Sequence, residues 1–215
     1  MKREYSNLES QGHVLQTEVL VLGGGLSGLW SSIKARDHVK DVLVVDKGPL
    51  HWGGLGSFCG ADMDVWDPEV SIDKWVDDLV FYFDGLIEQD VVESLLFNSY
   101  NRFLDYENMG HKFARGGDDK LIRVNQRGLE HFNSLLSRPF GSGGKSIVSV
   151  LVNKAKELNI RQLGRIQITD IIKDNGRVAG VVGFHTRSGE FYIIKAKVVI
   201  ICTGNTSWKP SYCIN

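Results

Sequence analysis

Three runs of the chain, residues 19–22, 42–45 and 198–202, are apolar without a break. Such runs, rich in Val and Ile, predict strands buried on both faces, as in a parallel sheet. The first two belong to expected strands at 17–22 and 41–45. Between them, apolar spacing predicts a helix from Leu26 to about Arg36. Downstream the pattern changes to short β segments: 166–172, 178–186 and 191–195. Asp174-Asn175-Gly176 joins the first pair, Asn-Gly being the strongest short hairpin signal. Arg187-Ser188-Gly189-Glu190 joins the second. The run 198–202 reads as a fourth, separate strand, fully buried and parallel.

The middle of the chain follows a helical period. Ile72, Trp75, Val76, Leu79 and Val80 predict a helix over 71–83. A second helix carries Val91, Leu95, Leu96, Tyr100, Phe103, Leu104 and Tyr106 on a broad face expected to be core. Asp90 followed by Glu93 predicts a capping box at its start, and Gly110 its end. Residues 62–69 are acidic and read as the solvated start of the helical segment. Residues 112–126 read as a solvated basic face, 128–136 as a short helix and 145–158 as a helix with Ile147, Val148, Leu151, Val152 and Ala155 inward. Residues 1–16 are expected to be a flexible leader. Residues 17–215 would form one incomplete domain, with 62–140 as a helical insertion.

The chemistry concentrates at the first strand–helix turn. Gly23-x-Gly25-x-x-Gly28 follows an apolar strand and opens a helix, the context a dinucleotide fingerprint demands. In that motif the first glycine makes the tight turn, the second admits a pyrophosphate to the backbone, and the third lets helix and strand pack closely. Asp46 ends the second strand, 18 positions after Gly28, close to the spacing of an acid that binds ribose hydroxyls. An acid there disfavours a 2′-phosphate, so FAD or NAD is expected over NADP. The alternative is that Asp46 merely ends a strand beside Lys47. The glycine-rich loop 48–60 could lay backbone against a flat ring, with the Ser57 hydroxyl reaching ring heteroatoms. His51 in that loop could touch a cofactor or be a hydrogen-bonded structural residue. Cys59 is expected to pack as a small apolar residue. Two lookalikes fail. Asp62-x-Asp64-x-x-Asp67 lacks the oxygen ligand at 66 and the glycine at 67 that a calcium loop needs. Gly144-Lys145-Ser146 lacks a P-loop's first glycine, which would fall on Pro139.

Composition narrows the class. With 215 residues, 42% hydrophobic and 24% charged, the chain can bury a core. A net charge of −1 gives no electrostatic footprint for nucleic acid. Cys59, Cys202 and Cys213 form no CxxC pair, which argues for a reducing, cytoplasmic setting and against a zinc site. No apolar run reaches the length of a membrane span.

Taken in order, these features resemble the flavoprotein subunit of the succinate dehydrogenase and fumarate reductase superfamily, which includes aspartate oxidase and the adenylylsulfate reductase α subunit. The likeness rests on residues 19–29, on Val42-Leu43-Val44-Val45-Asp46-Lys47 and on Gly53-Gly54 with Ser57. It continues in Gly110-His-Lys-Phe113-Ala-Arg115, in Gly144-Lys-Ser-Ile147, and in the segments 174–180 and 196–204. The expected architecture is therefore α/β: a Rossmann-like FAD-binding domain, a parallel sheet plus an antiparallel β-meander, with an inserted helical segment. The resemblance implies that Gly23, Gly25 and Gly28, with the helix start at Leu26 and Ser27, hold the pyrophosphate of FAD. It gives the ribose to Asp46, flanked by Lys47, the isoalloxazine to Gly53, Gly54 and Ser57, the adenine to the backbone of Gln167 and Ile168, and the pyrophosphate again to Thr203 and Gly204.

Departures from the family pattern refine the expectation. His51 lies too close to Gly53-Gly54 for the flavin-linked histidine of covalent members, so FAD is expected to be non-covalent. Asn205 stands where the family has glycine. The family's substrate-capping part and catalytic groups lie further along the chain, so this sequence reads as the N-terminal portion of a larger enzyme. A small-molecule substrate is implied, together with an electron-transfer subunit or a C-terminal half. The alternatives are a non-catalytic or truncated nucleotide-binding subunit and an NAD-linked dehydrogenase domain.

Overall fold

A computed structural model of the chain describes residues 12–49, 54–60, 62–137 and 144–204. The leader up to residue 11, His51, Gly53, the loop 138–143, Asn205 and Cys213 lie outside the described residues. The chain divides into two compact units. One comprises Met1–Ser57 with Leu151–Asn215, the other Phe58–Val150, against an insertion expected at 62–140.

The first unit is built on a six-stranded sheet. Its parallel part contains β1 (His13–Leu22), β2 (Val42–Val45) and β6 (Arg161–Leu163); its meander contains β7 (Ile166–Asp174), β8 (Arg177–His185) and β9 (Phe191–Ile201). The order is β6-β2-β1-β9-β8-β7. Helix α1 (Leu26–Arg36) turns Leu29 and Ile33 inward, and Gly28 and Ser32 share that buried face. Leu20, Leu22, Leu43 and Val45 pack with Ile166, Val181, Ile194 and Ala196. The Asn-Gly hairpin forms as expected, with positive φ at both Asn175 (48°) and Gly176 (78°), the geometry of a type I′ turn.

Two strand expectations change. Residues 191–195 and 198–202 form one strand, because β1 offers an unbroken parallel partner from His13↔Tyr192 to Leu22↔Ile201. That pairing also draws residues 13–16, expected in the leader, into β1. The far end of β9 is not fully buried. Its antiparallel pairing with β8 stops at Lys195, and Val198 (50%) and Ile201 (61%) remain exposed.

The second unit holds α2 (Ile72–Tyr82), α3 (Gln89–Asn108) and a three-stranded antiparallel sheet of β3 (Asp62–Asp64), β5 (Asn133–Leu136) and β4 (Arg123–Asn125). Helix α4 (Gly144–Glu157) begins in this unit and ends in the first. The small sheet corrects three expectations: 62–69 is not a helix start, 112–126 is not only a solvated face, and 128–136 is not a helix. Its strands are too short to show a period, and side chains hold them. Asp78 Oδ2 accepts the amides of His131 (2.6 Å) and Phe132 (2.8 Å). The Arg123 guanidinium donates to Val65 O and Asn133 Oδ1 and pairs with Asp67.

Helices α2 and α3 pack through Trp75, Val76 and Leu96, with Phe132 against them. The expected core stripe of α3 splits: Leu96, Phe103 and Tyr106 are buried, but Val91, Leu95 and Leu104 are exposed. The capping box does not form. Glu88 is the N-cap without a side-chain cap, and Asp90 falls inside the first turn, where its charge suits the helix dipole. Gly110 does end α3. Its φ is +92°, its N–H donates to Glu107 O, and the His111 N–H donates to Tyr106 O, a Schellman cap. His111 is buried, with Nε2 2.9 Å from Ser137 Oγ. Burial holds its pKa below the usual imidazole value, against an opposing pull from Glu107.

Candidate functional site

The site is built where β1 ends. Gly23 donates its N–H to Val45 O (2.7 Å) and turns the chain at φ +108°. A Cβ on Gly23 would stand 2.2 Å from Cys202 O, and one on Gly28 would stand 1.7 Å from Gly23 O. Neither position admits a side chain without moving backbone, which is the physical content of the first and third glycines of the fingerprint. Gly25 is the N-cap of α1, in extended conformation, with no side-chain cap and no acid in the first turn. The N–H groups of Leu26, Ser27 and Gly28 therefore have no partner within the helix, and they sit at the positive end of its dipole.

Asp46 is tied from every side. Its Oδ2 accepts the Gly24 N–H and its Oδ1 the Gly48 N–H, each at 2.6 Å. Its N–H donates to Leu163 O, and its carbonyl accepts from Ile166 N–H. The last bond puts the start of β7, and so Gln167 and Ile168, beside Asp46. The Gln167 side-chain amide donates to Ile168 O (2.9 Å). Lys47 is exposed. Each carboxylate oxygen keeps a second lone pair after its amide bond, so the acid both fixes the glycine turn and retains acceptor capacity.

The remaining groups converge on the same turn. The Cys202 N–H donates to Leu22 O (2.8 Å), which carries Thr203 and Gly204 past the end of β9 next to Gly23; both are exposed. Gly54 comes close enough to Gly25 that a Cβ on it would lie 3.2 Å from the Gly25 Cα. Ser57 is buried in a short 3-10 helix, Leu55–Phe58. Gly53 is outside the described residues. The sequence reading missed Gly24 and Gly48 as partners of Asp46. The Asp-x-Gly spacing of Asp46 and Gly48 carried a signal, since Asp often bonds the amide two residues on. Gly24 carried none of its own.

Together β6-β2-β1-β9 run parallel, and the chain winds from β1 to one side through β2 and β6 and returns on the other side as β9, so the strand order reverses between β1 and β9. Both the glycine turn and Thr203-Gly204 lie at the carboxyl ends of those two strands. Ligands of open α/β sheets bind at this switch point. The donor set fits an extended dinucleotide: uncapped amides for a diphosphate, and one acid a strand away for ribose. Among the described residues no group of His, Cys, Asp and Glu is arranged to hold a metal.

The arrangement defines a dinucleotide-binding α/β domain. Residues 18–212 match the FAD binding domain family, and the chain belongs to that family, whose cofactor is FAD. It is 26% identical over 211 residues to L-aspartate oxidase of Yersinia pestis, covering 93% of this chain and 39% of that protein. It is 25% identical over 193 residues to a fumarate reductase flavoprotein subunit of Mycobacterium tuberculosis, covering 88% and 33%. Among solved structures it superposes on the Mycobacterium smegmatis Sdh1 complex with a TM-score of 0.78 at 22% identity, over 91% of this chain and 35% of that one. The resemblance to succinate dehydrogenase and fumarate reductase flavoproteins is thereby borne out, as is the α/β architecture. The chain spans about a third of the length of these relatives, 33% to 39%. No helix among the described residues is long and apolar enough to cross a membrane.

Proposed function

We propose that this chain is the N-terminal FAD-binding portion of an oxidoreductase of the fumarate reductase and aspartate oxidase type. The observation that carries the reading is the convergence at one switch point of an uncapped helix start, a side-chain-intolerant glycine turn and an anchored acid. Bound there, FAD would exchange hydride with a small substrate, which is chemistry that the cofactor supplies.

The chain's own residues bind and orient. Gly23, Gly25 and Gly28, with the amides of Leu26 and Ser27, hold the pyrophosphate, and Thr203 and Gly204 close on it from β9. Asp46 offers its remaining lone pairs to the ribose, beside Lys47. Gln167 and Ile168 present backbone to the adenine. Gly53, Gly54 and Ser57 flank the isoalloxazine, and attachment is non-covalent. None of these groups is a proton donor to substrate. That role, the substrate pocket and the electron-transfer contacts fall to a C-terminal half or a partner subunit, in a cytoplasmic enzyme.

The test is the visible spectrum of the purified protein and its titration with FAD. A bound flavin spectrum, or FAD uptake displaced by ADP, supports the reading. A colourless protein that takes up no FAD overturns it, and one that binds NAD instead favours a dehydrogenase domain. Asp46→Ala should weaken FAD at least about tenfold, the scale of one charged hydrogen-bond acceptor lost. Undiminished occupancy would remove Asp46 from the nucleotide site.

A further inference from the structure

The tip of the α2–α3 hairpin carries large apolar side chains that no core among the described residues absorbs. The packed faces of these helices use Trp75, Val76 and Leu96, with Leu79, Val80 and Val92 against them. Outside those faces Phe81 (75%), Leu86 (87%) and Leu95 (66%) are mostly in solvent, and Tyr82, Phe83 and Val91 are exposed with them. Tyr82 and Phe83 meet edge to face at 5.0 Å. The turn beneath is hydrogen-bonded: Gly85 N–H donates to Val80 O (2.8 Å) and Leu86 N–H to Phe83 O (2.9 Å). Isolated exposed apolar residues are ordinary, but several on one hairpin tip, aromatics among them, mark an interaction surface.

Its rim has one sign of charge. Residues 71–100 contain seven carboxylates and one lysine, a net −6, while the rest of the chain carries 24 basic and 19 acidic residues, a net +5. Asp84, Glu88 and Asp90, all exposed, stand among the apolar tip residues. This charge selects the occupant. Anionic lipid surfaces and nucleic acid are repelled. A two-fold contact between copies would set acidic rim against acidic rim. What remains complementary is a protein surface with an apolar centre and a Lys/Arg rim.

We propose that this hairpin tip is the docking surface for such a basic, apolar-faced protein partner. The exposed apolar side chains, Phe81 and Leu86 foremost, are the anchors, and the hydrogen-bonded turn presents them on backbone that is already ordered. The inference does not depend on the cofactor reading.

The probe is a labelled amphipathic peptide of about 18 residues, with leucines at helical spacing and Lys/Arg elsewhere, titrated onto the full chain. It should bind and protect amides of residues 81–95 from hydrogen exchange. Affinity should fall at least about tenfold in Phe81→Ser/Leu86→Ser, where two central anchors are lost. It should fall similarly when salt is raised from about 50 to 500 mM, which screens the rim. Asp84→Asn/Glu88→Gln/Asp90→Asn should weaken it without touching the apolar tip. A glutamate version of the peptide should not bind. Equal affinity for wild type and the Phe81→Ser/Leu86→Ser protein, protection elsewhere, or binding to phosphatidylserine vesicles instead would overturn the proposal. Self-association that these substitutions abolish would also overturn it, since a second copy would then be the occupant.

Discussion

The two sheets of this protein are held by different groups. In the first unit, Val19, Leu20, Val21 and Leu22 of β1 and all four residues of β2 are buried and apolar, and, the Asp46 carboxylate aside, the joints around the glycine turn are backbone against backbone. Gly23 meets Val45, and Cys202 meets Leu22. In the second unit, β5 buries Asn133 and Ser134, and its approach is pinned by one carboxylate and one guanidinium. The first kind of construction fails when volume is added. The second fails when a charge is removed. Substitutions in the two units should therefore differ in kind as well as in size.

The largest effect is expected at Gly28. A Cβ there would stand 1.7 Å from Gly23 O, so Gly28→Val must open the turn or shift α1. A loss of about 3 kcal/mol or more is expected, in the range of severe overpacking and backbone strain, along with loss of bound FAD. Gly117→Ala is the control: nothing lies within 4 Å of its added Cβ, and a change within about 0.5 kcal/mol is expected. Melting curves and flavin content of the two proteins decide the matter. A Gly28→Val protein that melts and binds FAD like wild type would refute the steric account of the turn.

Next comes Asp78, where the effect should be electrostatic. Asp78→Ala strands the amides of His131 and Phe132, at a cost of about 2–3 kcal/mol for the loss of a charged acceptor. Burial pushes the Asp78 pKa up, but the amides of Phe132, His131 and Glu130 and the charge of His131 outweigh it and hold the carboxyl below its usual range. A folded-state pKa below the unfolded value of about 3.9 means that this stabilisation is present in full from about pH 5 upward. It is lost as the pH falls through the folded-state value. Asp78→Asn should flatten that acid limb, followed by hydrogen exchange in 128–136, while flavin absorbance at neutral pH stays. A loss of flavin in step with these amides would contradict the separation of the two kinds of construction.

The same contrast explains what the sequence disclosed. Gly23, Gly25, Gly28 and Asp46 could be read because a strand, a turn and a helix each impose a period or a torsion on the residues that form them. Asn175-Gly176 was legible for the same reason. The merging of two expected strands into β9 was not, because it depends on the length of its neighbour β1. Nor was the β3-β5-β4 sheet, whose strands of three or four residues are defined by Asp78 and Arg123 reaching across more than fifty positions. Such pairings leave no periodic trace. The part Asp46 plays in shaping the glycine turn through Gly24 and Gly48 was hidden likewise, since an acid at a strand end looks the same in sequence whatever its carboxylate holds.

The smallest effect separates two reasons for needing glycine. Gly176 has φ +78°, like Gly23 in the sign of its torsion, but nothing lies within 4 Å of where its Cβ would be. Gly176→Ala thus meets no atom and costs only the left-handed backbone, about 1 kcal/mol. That loss should appear as a lower melting temperature with FAD affinity unchanged, because the β7–β8 turn lies at the far end of β7 from Gln167 and Ile168. Asn175→Gly, which relieves the other left-handed residue of the same turn (φ 48°), should recover part of it. Gly28 lies inside α1 without a positive φ, so if Gly176→Ala were as damaging as Gly28→Val, crowding would not be what sets the two apart, and the 1.7 Å approach at Gly28 would lose its explanatory weight.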